Sequence, residues 1–223
     1  VDGDVRDTLL EIVGFHNGCS AVDGCYGINV GGTTLNSTIT ATNATAVQHT
    51  FTTVMGVYLV GAVVRSRVML TNVTLDLYTT HVCTAEVNGV SLGSGLHNSS
   101  SFVVRNSTFT VRAIIAEACD HNKFVNAPHT FAIVSRASIV GVTEFVDNTV
   151  ALSTNGWASM LRVDGSITNT TYWNNTVTAG SYRRLWRVFV AGSLIASRVQ
   201  SEWTVIVDGD VRDTLLEIVG FHN

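Results

Sequence analysis

Apolar and polar residues alternate with a period of two in short stretches along the whole chain. Six of these stretches centre on a threonine: Asn36–Ala41, Asn72–Leu77, Asn106–Val111, Asn148–Leu152, Asn174–Ala179 and Glu202–Val207. A second alternating pattern, usually ending near glycine, falls between them: Leu10–Gly14, Val57–Gly61, Val90–Gly93, Phe131–Ser135, Leu161–Gly165 and Val188–Gly192. Alternation with this period is typical of β-strands, and the Asn, Gly and Ser clusters between the stretches are typical of turns.

The threonine stretches recur in one chain direction with no helical pattern between them. Their threonines mark one equivalent strand position: Thr38, Thr74, Thr108, Thr149, Thr176 and Thr204. Short strands that recur in this way predict an all-β parallel β-helix, or solenoid, with about six coils of about 34 residues per repeat. A β-sandwich is the alternative, but the two-residue hairpin signals that it needs are sparse.

The threonine stretches lie within a much longer sequence repeat. Residues 1–17 reappear without change as residues 207–223, so the period is 206 residues. We therefore expect residues 1–206 to be one full solenoid repeat and residues 207–223 to begin the next identical one. On this interpretation the chain is a window cut from a longer polymer. An engineered duplication is the alternative.

Strand parity predicts which side chains face the interior. Val73, Leu75 and Leu77 share one face of their stretch, and Asn72 and Thr74 share the other. The other stretches follow the same scheme. We expect the apolar set to fill the interior and the Asn and Thr set to face solvent.

Composition narrows the function classes. A hydrophobic content of 46% with 13% charged residues excludes a disordered tail. The net charge of −4 comes without a basic stripe, which argues against a nucleic-acid partner. The longest nearly continuous apolar stretch, Val54–Val64, is too short to cross a bilayer, so we expect no membrane span in this window.

Glycosylation sequons exceed the number expected by chance, which is roughly three for this composition. Seven are found, at Asn36, Asn43, Asn72, Asn98, Asn106, Asn169 and Asn174. Together with the single lysine and the even cysteine number, they predict an extracellular or cell-surface N-glycoprotein. Four of these asparagines take the same outward position in successive coils, so glycans would form a column. The alternative is a ladder of asparagine amides bonded to one another.

The chain resembles the parallel β-helix architecture of the pectin-lyase type. The residue pattern of Asn106–Val111, N-S-T-F-T-V, is also similar to that of large kinetoplastid surface proteins called the dispersed gene family. The resemblance implies a surface or secreted setting. It carries no catalytic residue across.

The four cysteines suggest two disulfides. Cys83 and Cys119 take near-equivalent places in consecutive coils, and Cys19 and Cys25 would close a small loop. The competing interpretation for the first pair is zinc bound by His81, Cys83, Cys119 and His121. Disulfides are the commoner outcome in an extracellular protein, so we predict no metal site.

Two charged clusters raise the question of other chemistry. Asp2, Asp4 and Asp7 recur as Asp208, Asp210 and Asp213, but they lack the remaining ligands of a calcium loop and predict a solvated turn with a local Arg–Asp pair. Arg183, Arg184 and Arg187 lie beside Tyr182 and Trp186 and could contact sugars or a neighbouring fibre. No nucleophile–base constellation or phosphate loop stands out, so we predict neither catalysis nor a cofactor other than N-linked glycans.

The sequence thus favours a structural function. We expect the repeating unit of a secreted, N-glycosylated filament, flagellar hair or surface coat, whose partners are copies of itself joined end to end. The alternative is a carbohydrate-binding or carbohydrate-cleaving β-helix, such as an adhesin.

Overall fold

The computed structural model describes residues 1–21, 24–50, 53–80, 86–97, 99–114, 129–154, 156–180, 184–202 and 204–219. Throughout these residues the regular secondary structure is β-strand, and no helix is present. None of them therefore forms a helix that could cross a bilayer. The chain is all-β, as predicted.

The strands follow one another in a repeated order, and we call each round a pass. The first three passes contain β1 (Val5–Arg6), β2 (Leu9–Val13), β3 (His16–Ala21) and β4 (Cys25–Val30); β5 (Thr34–Leu35), β6 (Thr38–Thr42), β7 (Thr45–Thr50) and β8 (Val54–Leu59); and β9 (Val63–Val64), β10 (Arg67–Thr71), β11 (Thr74–Thr80) and β12 (Glu86–Leu92). The fourth and fifth contain β13 (Ser101–Arg105), β14 (Thr108–Ile114) and β15 (His129–Ser135), then β16 (Val142–Val146), β17 (Thr149–Thr154) and β18 (Trp157–Val163). The last three contain β19 (Ile167–Thr168), β20 (Thr170–Trp173), β21 (Thr176–Gly180) and β22 (Arg184–Val190); β23 (Leu194–Ile195), β24 (Arg198–Ser201) and β25 (Val205–Val207); and β26 (Val211–Arg212) and β27 (Leu215–Ile218).

Each pass contributes strands to parallel sheets in the same order, and we name these sheets A to D. Sheet A consists of β1-β5-β9 and β19-β23-β26, connected by single bridges at Leu96 and Ile139. Sheet B is β2-β6-β10-β13-β16-β20-β24-β27, sheet C is β3-β7-β11-β14-β17-β21, and sheet D is β4-β8-β12-β15-β18-β22-β25. Strands within a sheet therefore pair with the corresponding strands of the passes before and after them, and the strands at the ends of each sheet pair on one side only.

The pairing register confirms four of the six predicted threonine equivalences. Thr74, Thr108, Thr149 and Thr176 pair in one row across sheet C. The other two equivalences are wrong. Thr38 lies in sheet B, between Leu9 and Arg67, whereas Thr45 is the residue that pairs with Thr74. Thr204 directly precedes β25 of sheet D.

The predicted number of about six coils per period is also wrong. Leu9 in β2 and Leu215 in β27 are equivalent residues of the repeat, and sheet B takes seven steps from one strand to the other within the described residues. The mean pass is therefore about 29 residues long. Likewise, Leu10–Gly14 of the second pattern lies in sheet B and its turn, not in sheet D with the other five.

The error at Thr38 and the error in the number of passes have one physical cause. The corner before a sheet B strand and the corner before a sheet C strand use the same sequence pattern. Asn36-Ser37-Thr38 leads into β6, and Asn43-Ala44-Thr45 leads into β7. Sequence spacing alone cannot tell which of the two corners a given Asn-x-Thr belongs to.

The parity prediction is confirmed. Val73, Leu75 and Leu77 are buried, whereas Asn72 and Thr74 are exposed. One apolar cluster runs through successive passes between the sheets, and its large members include Ile39, Leu70, Phe102, Phe109, Phe145 and Tyr172. Burial of this apolar surface provides the main driving force for folding.

Three glycines occupy one row of sheet D where space is short. They are Gly27, Gly56 and Gly89, each in the middle of its strand. A Cβ atom on Gly89 would collide with the Ala132 carbonyl oxygen and would lie 2.7 Å from Cδ1 of Phe109. The close approach of neighbouring passes therefore excludes a side chain at this position.

Candidate functional site: the asparagine corners

The predicted glycosylation sites lie at two rows of sharp corners. Among the described residues, eleven other than glycine have positive φ angles between 47° and 57°. Those between sheets A and B are Asp7, Asn36, Arg65, Asn169, Ala196 and Asp213, and those between sheets B and C are Asn43, Asn72, Asn106, Asp147 and Asn174. All six sequon asparagines in the described part of the chain are therefore corner residues.

The left-handed conformation explains why asparagine occurs here. Among residues with a Cβ atom, Asn and Asp tolerate this backbone conformation best. The residue that follows turns inward, as Val73 and Ser107 do, and the next begins a strand, as Thr74 and Thr108 do. A corner of this kind therefore generates Asn-x-Ser/Thr without any requirement for a sugar.

The corner side chains bond to one another from pass to pass. The Asn36 amide nitrogen Nδ2 donates to Asp7 Oδ1 at 3.2 Å, and Asn72 Nδ2 donates to Asn43 Oδ1 at 3.3 Å. Asn174 Nδ2 donates to Asp147 Oδ1 at 2.6 Å. Of these three bonds, only Asn72–Asn43 joins two asparagine amides, as the ladder considered as the alternative to glycans requires; the other two join an asparagine to an aspartate.

Polar side chains on the interior side of the corners accept hydrogen bonds from backbone amides of neighbouring passes. The hydroxyl groups of Ser37 and Ser66 accept hydrogen bonds from the backbone amides of Thr8 and Ser37, at 3.1 and 3.0 Å. At the other corner row, Asn148 Oδ1 accepts from the Ser107 amide at 3.0 Å, and Asn175 Oδ1 accepts from the Asn148 amide at 3.1 Å. These bonds satisfy the backbone groups that a sharp turn removes from the sheets.

The side-chain nitrogen Nδ2 of a corner asparagine could either carry a glycan or donate a hydrogen bond to the neighbouring pass. All six described sequon asparagines are exposed, as the attachment of a glycan to Nδ2 requires. However, Asn43, Asn72 and Asn106 stand in three consecutive passes, so adjacent glycans would start about 4.8 Å apart. Glycosylation of these asparagines remains a prediction. Asn98 lies outside the described residues.

The described residues include one of the two predicted disulfides. Cys19 and Cys25 form a disulfide between β3 and β4, with their Cα atoms 6.1 Å apart. The predicted Cys83–Cys119 pair, and the alternative zinc ligands His81 and His121, lie outside the described residues. Within the described ranges no group of three or more His, Cys, Asp or Glu side chains is arranged to hold a metal ion.

The acidic segment at the start of the chain forms the predicted local ion pair. Arg6 donates to Asp4 Oδ2 at 2.7 Å, and the Thr33 amide donates to Asp4 Oδ1 at 2.8 Å. The Arg6 hydrogen bond, followed by that of Thr33, lowers the pKa of the exposed Asp4 carboxyl. Arg212 and Asp210 form the same pair in the repeated segment.

An ionic cluster on the outer face of sheet D was not predicted from the sequence. Arg136 pairs with Glu86 of the pass before and with Asp164 of the pass after, and Asp164 also accepts from Arg162 at 2.7 Å. Burial lowers the pKa of the neighbouring His129, although Glu86 opposes this shift. Arg136 lies 50 residues from Glu86 and 28 residues from Asp164 in the sequence, so no local motif indicates that these three residues meet.

A shallow groove crosses sheet B near its corner with sheet A. It encloses about 470 Å³, and its lining includes Arg65, Arg67 and several hydroxyl-bearing residues: Ser37, Thr38, Ser66, Ser99, Ser100 and Ser101. Neither arginine forms an ion pair with any described residue. No sequence motif indicated this groove. The basic cluster predicted at residues 182–187 lies outside the described side chains and stays a prediction.

Comparison of the chain with protein-family models, with curated proteins and with solved structures finds no match.

Proposed function

We propose that the chain is a parallel β-solenoid and the repeating unit of a secreted, N-glycosylated filament, flagellar hair or surface coat. Its role is structural and not enzymatic. Its partners are copies of itself, joined end to end, and its setting is the cell surface or the extracellular space.

One observation carries this proposal. The first copy of the 17-residue segment forms β1 and β2, and the second copy forms β26 and β27 in the same two sheets. One period of sequence therefore corresponds to a whole number of passes. A repeat with this property can be extended indefinitely without a change of direction or of sheet.

The pairing pattern supplies a physical basis for a mechanical role. Strands of successive passes run parallel and in register in sheets B, C and D, so backbone hydrogen bonds would lie along the fibre axis. With seven passes and a strand separation of about 4.8 Å, each period would add about 34 Å to the length. Such a fibre resists stretching because extension must break many hydrogen bonds together.

The exposed corner asparagines support the glycoprotein part of the proposal. They line two outer edges of the sheets, where sugars would keep neighbouring fibres apart and solvated. The corner ladder itself supports the strands whether or not glycans are attached.

A carbohydrate-binding protein is the second candidate, and the groove at Arg65 and Arg67 is the observation that favours it. Two guanidinium groups beside several hydroxyl groups suit an acidic saccharide.

The experiment compares chains of one, two and four periods by negative-stain electron microscopy and small-angle scattering. The proposal predicts straight particles whose length grows by about 34 Å per added period. Particles that widen with added periods, or behave as flexibly linked beads, would exclude a continuous solenoid.

Expression through a eukaryotic secretory pathway, followed by glycosidase treatment and mass measurement, tests the sequons. Binding of an acidic oligosaccharide that is lost in R65A/R67A would instead support the second candidate.

A further inference from the structure

The groove on sheet B begins at a glycosylation sequon. Its lining consists of residues 36–38, which are the sequon Asn-Ser-Thr, residues 65–67 of the next pass, residues 99–101 of the pass after that, and Val142. Thr38 pairs with Arg67, and Arg67 pairs with Ser101, so the groove runs along the direction in which the passes stack. A group attached to Asn36 would therefore start at one end of the groove and could extend along it.

The side chain of Asn36 is held in a way that suits attachment. Its Nδ2 donates to Oδ1 of Asp7 in the preceding pass. Because an ionised carboxylate only accepts hydrogen bonds, the nitrogen of the amide, and not its oxygen, must face Asp7. This nitrogen has a second hydrogen, so a glycan can replace one hydrogen while the other keeps the bond to Asp7.

The two arginines of the groove differ from the other arginines that the structure describes. Six others are ion-paired: Arg6, Arg105, Arg112, Arg136, Arg162 and Arg212. Arg198 lies over the ring of Trp173. Among the described residues, neither Arg65 nor Arg67 has a carboxylate or aromatic partner, and both are exposed. A guanidinium group only donates, so these two side chains need oxygen acceptors from a ligand.

Val142 adds an apolar surface at the far end of the groove. Its side chain is 50% exposed, and it lies three strands from Thr38 in the same row, or about 14 Å at the usual strand spacing. A sugar ring has C–H groups on its faces and oxygens around its rim. The groove therefore offers both kinds of contact, with the donors close to Asn36 and the apolar surface farther away.

The corner at Asn169 carries a sequon in the same row but lacks these free arginines. Arg198 has the position of Arg67, but it lies over an aromatic ring. Ala196 has the corner position of Arg65. A glycan on Asn169 would therefore lack the partners that the groove offers to a glycan on Asn36.

We propose that the groove is the seat of the N-glycan on Asn36. The first N-acetylglucosamine packs beside Arg65 and Arg67, which donate to its hydroxyl and acetamido oxygens, and the next sugar extends toward Val142. Attachment forms a bond from Nδ2 to C1 of this sugar, breaks the bond from C1 to the diphosphate of a lipid-linked oligosaccharide, which leaves with the electron pair, and releases one proton from Nδ2. This seat rests on the proposed N-glycosylation, and it excludes a free saccharide from the groove.

Site-resolved release of glycans from the folded chain tests the seat. The full-length chain is secreted by eukaryotic cells and treated with peptide N-glycosidase, and mass spectrometry follows Asn36 and Asn169, each relative to its rate in the denatured chain. We expect release at Asn36 to be about tenfold slower than at Asn169, which corresponds to roughly 1.4 kcal/mol of contact with the groove. R65A/R67A should raise the rate at Asn36 to that at Asn169. R198A, the matched change beside Asn169, should alter neither rate.

A thermal cycle separates contact from access, because the loss of two arginines also clears space for the enzyme. Thr38→Val removes the sequon at Asn36 and leaves the other sequons in place. It should lower the melting temperature of the wild-type chain by about 3 to 5 °C and leave that of R65A/R67A unchanged. The same four chains, made without glycans in the bacterial periplasm, should show no such difference.

The seat would be overturned by equal release at Asn36 and Asn169, by an Asn36 rate that R65A/R67A does not change, or by equal losses from T38V in both backgrounds. Binding of a free acidic oligosaccharide that is the same with and without the Asn36 glycan would overturn it too. Each of these results leaves the glycoprotein proposal intact, because the masses report occupancy directly. A bare Asn36 beside other occupied sequons would reject the seat alone, whereas bare asparagines at every sequon would reject both.

Discussion

The two copies of the 17-residue segment have identical sequences but different neighbours, so they separate what sequence determines from what packing determines. Local conformation is the same in both. Asp7 and Asp213 have φ angles of 49° and 50°, and the Arg–Asp pair is formed in both copies. The short strands of sheets A and B also begin at equivalent residues.

Burial differs sharply between the copies. Val5 is 6% exposed, because the following passes cover it, whereas Val211 is 49% exposed. Room for a side chain differs as well, since Gly3 is open and Gly209 is crowded. Local backbone geometry thus follows the sequence, while burial and steric limits follow the adjacent passes. Substitutions should therefore have large effects only where the adjacent passes bury the side chain or leave no space for it.

The largest effect is expected at Gly89, which lies between two complete passes. Gly89→Ala forces a Cβ atom against the Ala132 carbonyl oxygen and the Phe109 ring, and should lower the free energy of unfolding by about 3 kcal/mol. Gly18→Ala is the matched control, since a Cβ atom there meets nothing within 4 Å. Urea unfolding monitored by circular dichroism measures both. Equal stabilities for the two variants would contradict the dependence on neighbouring passes.

An intermediate effect is expected from one substitution made in both copies. Val5→Ala removes buried methyl groups and should cost about 2 kcal/mol, whereas Val211→Ala should cost less than about 0.5 kcal/mol. Because the local sequence is identical, the difference isolates the contribution of the covering passes. Denaturant midpoints at constant slope provide the comparison. Similar losses at both positions would mean that the burial difference has no energetic consequence.

The same distinction explains what the sequence could predict. Period-two alternation predicted the strands, and parity assigned Val73, Leu75 and Leu77 to the interior, because both depend on local chain geometry. The tandem period identified equivalent residues at the two ends. The number of passes was not accessible in this way, because Asn36 and Asn43 stand at different corners with the same local sequence pattern.

Contacts between passes were the least predictable feature. The Arg136 pairs with Glu86 and Asp164 join residues from three passes, and their alignment depends on the lengths of the segments between the strands. The Asn72–Asn43 bond could be foreseen only as an alternative, because a sequon and a left-handed corner have the same residue pattern. Sequence spacing therefore predicts the strands better than it predicts which residues meet across them.

The smallest expected effect concerns local geometry, which should not depend on the neighbouring passes. Ala196 has a φ angle of 49° at a corner where other passes place Asn, Asp or Arg. Ala196→Gly removes the clash of its Cβ atom with the backbone and should raise the free energy of unfolding by about 0.5 to 1 kcal/mol, even after the greater entropy of glycine in the unfolded chain. Ala191→Gly is the matched control, because Ala191 is also exposed but lacks a positive φ angle, and it should lose a few tenths of a kcal/mol. If the corner conformation is set locally, thermal and urea unfolding should show a gain in stability for Ala196→Gly and a loss for Ala191→Gly. A loss of stability in both would show that packing against the adjacent passes, and not the strained backbone, decides which residue this corner accepts.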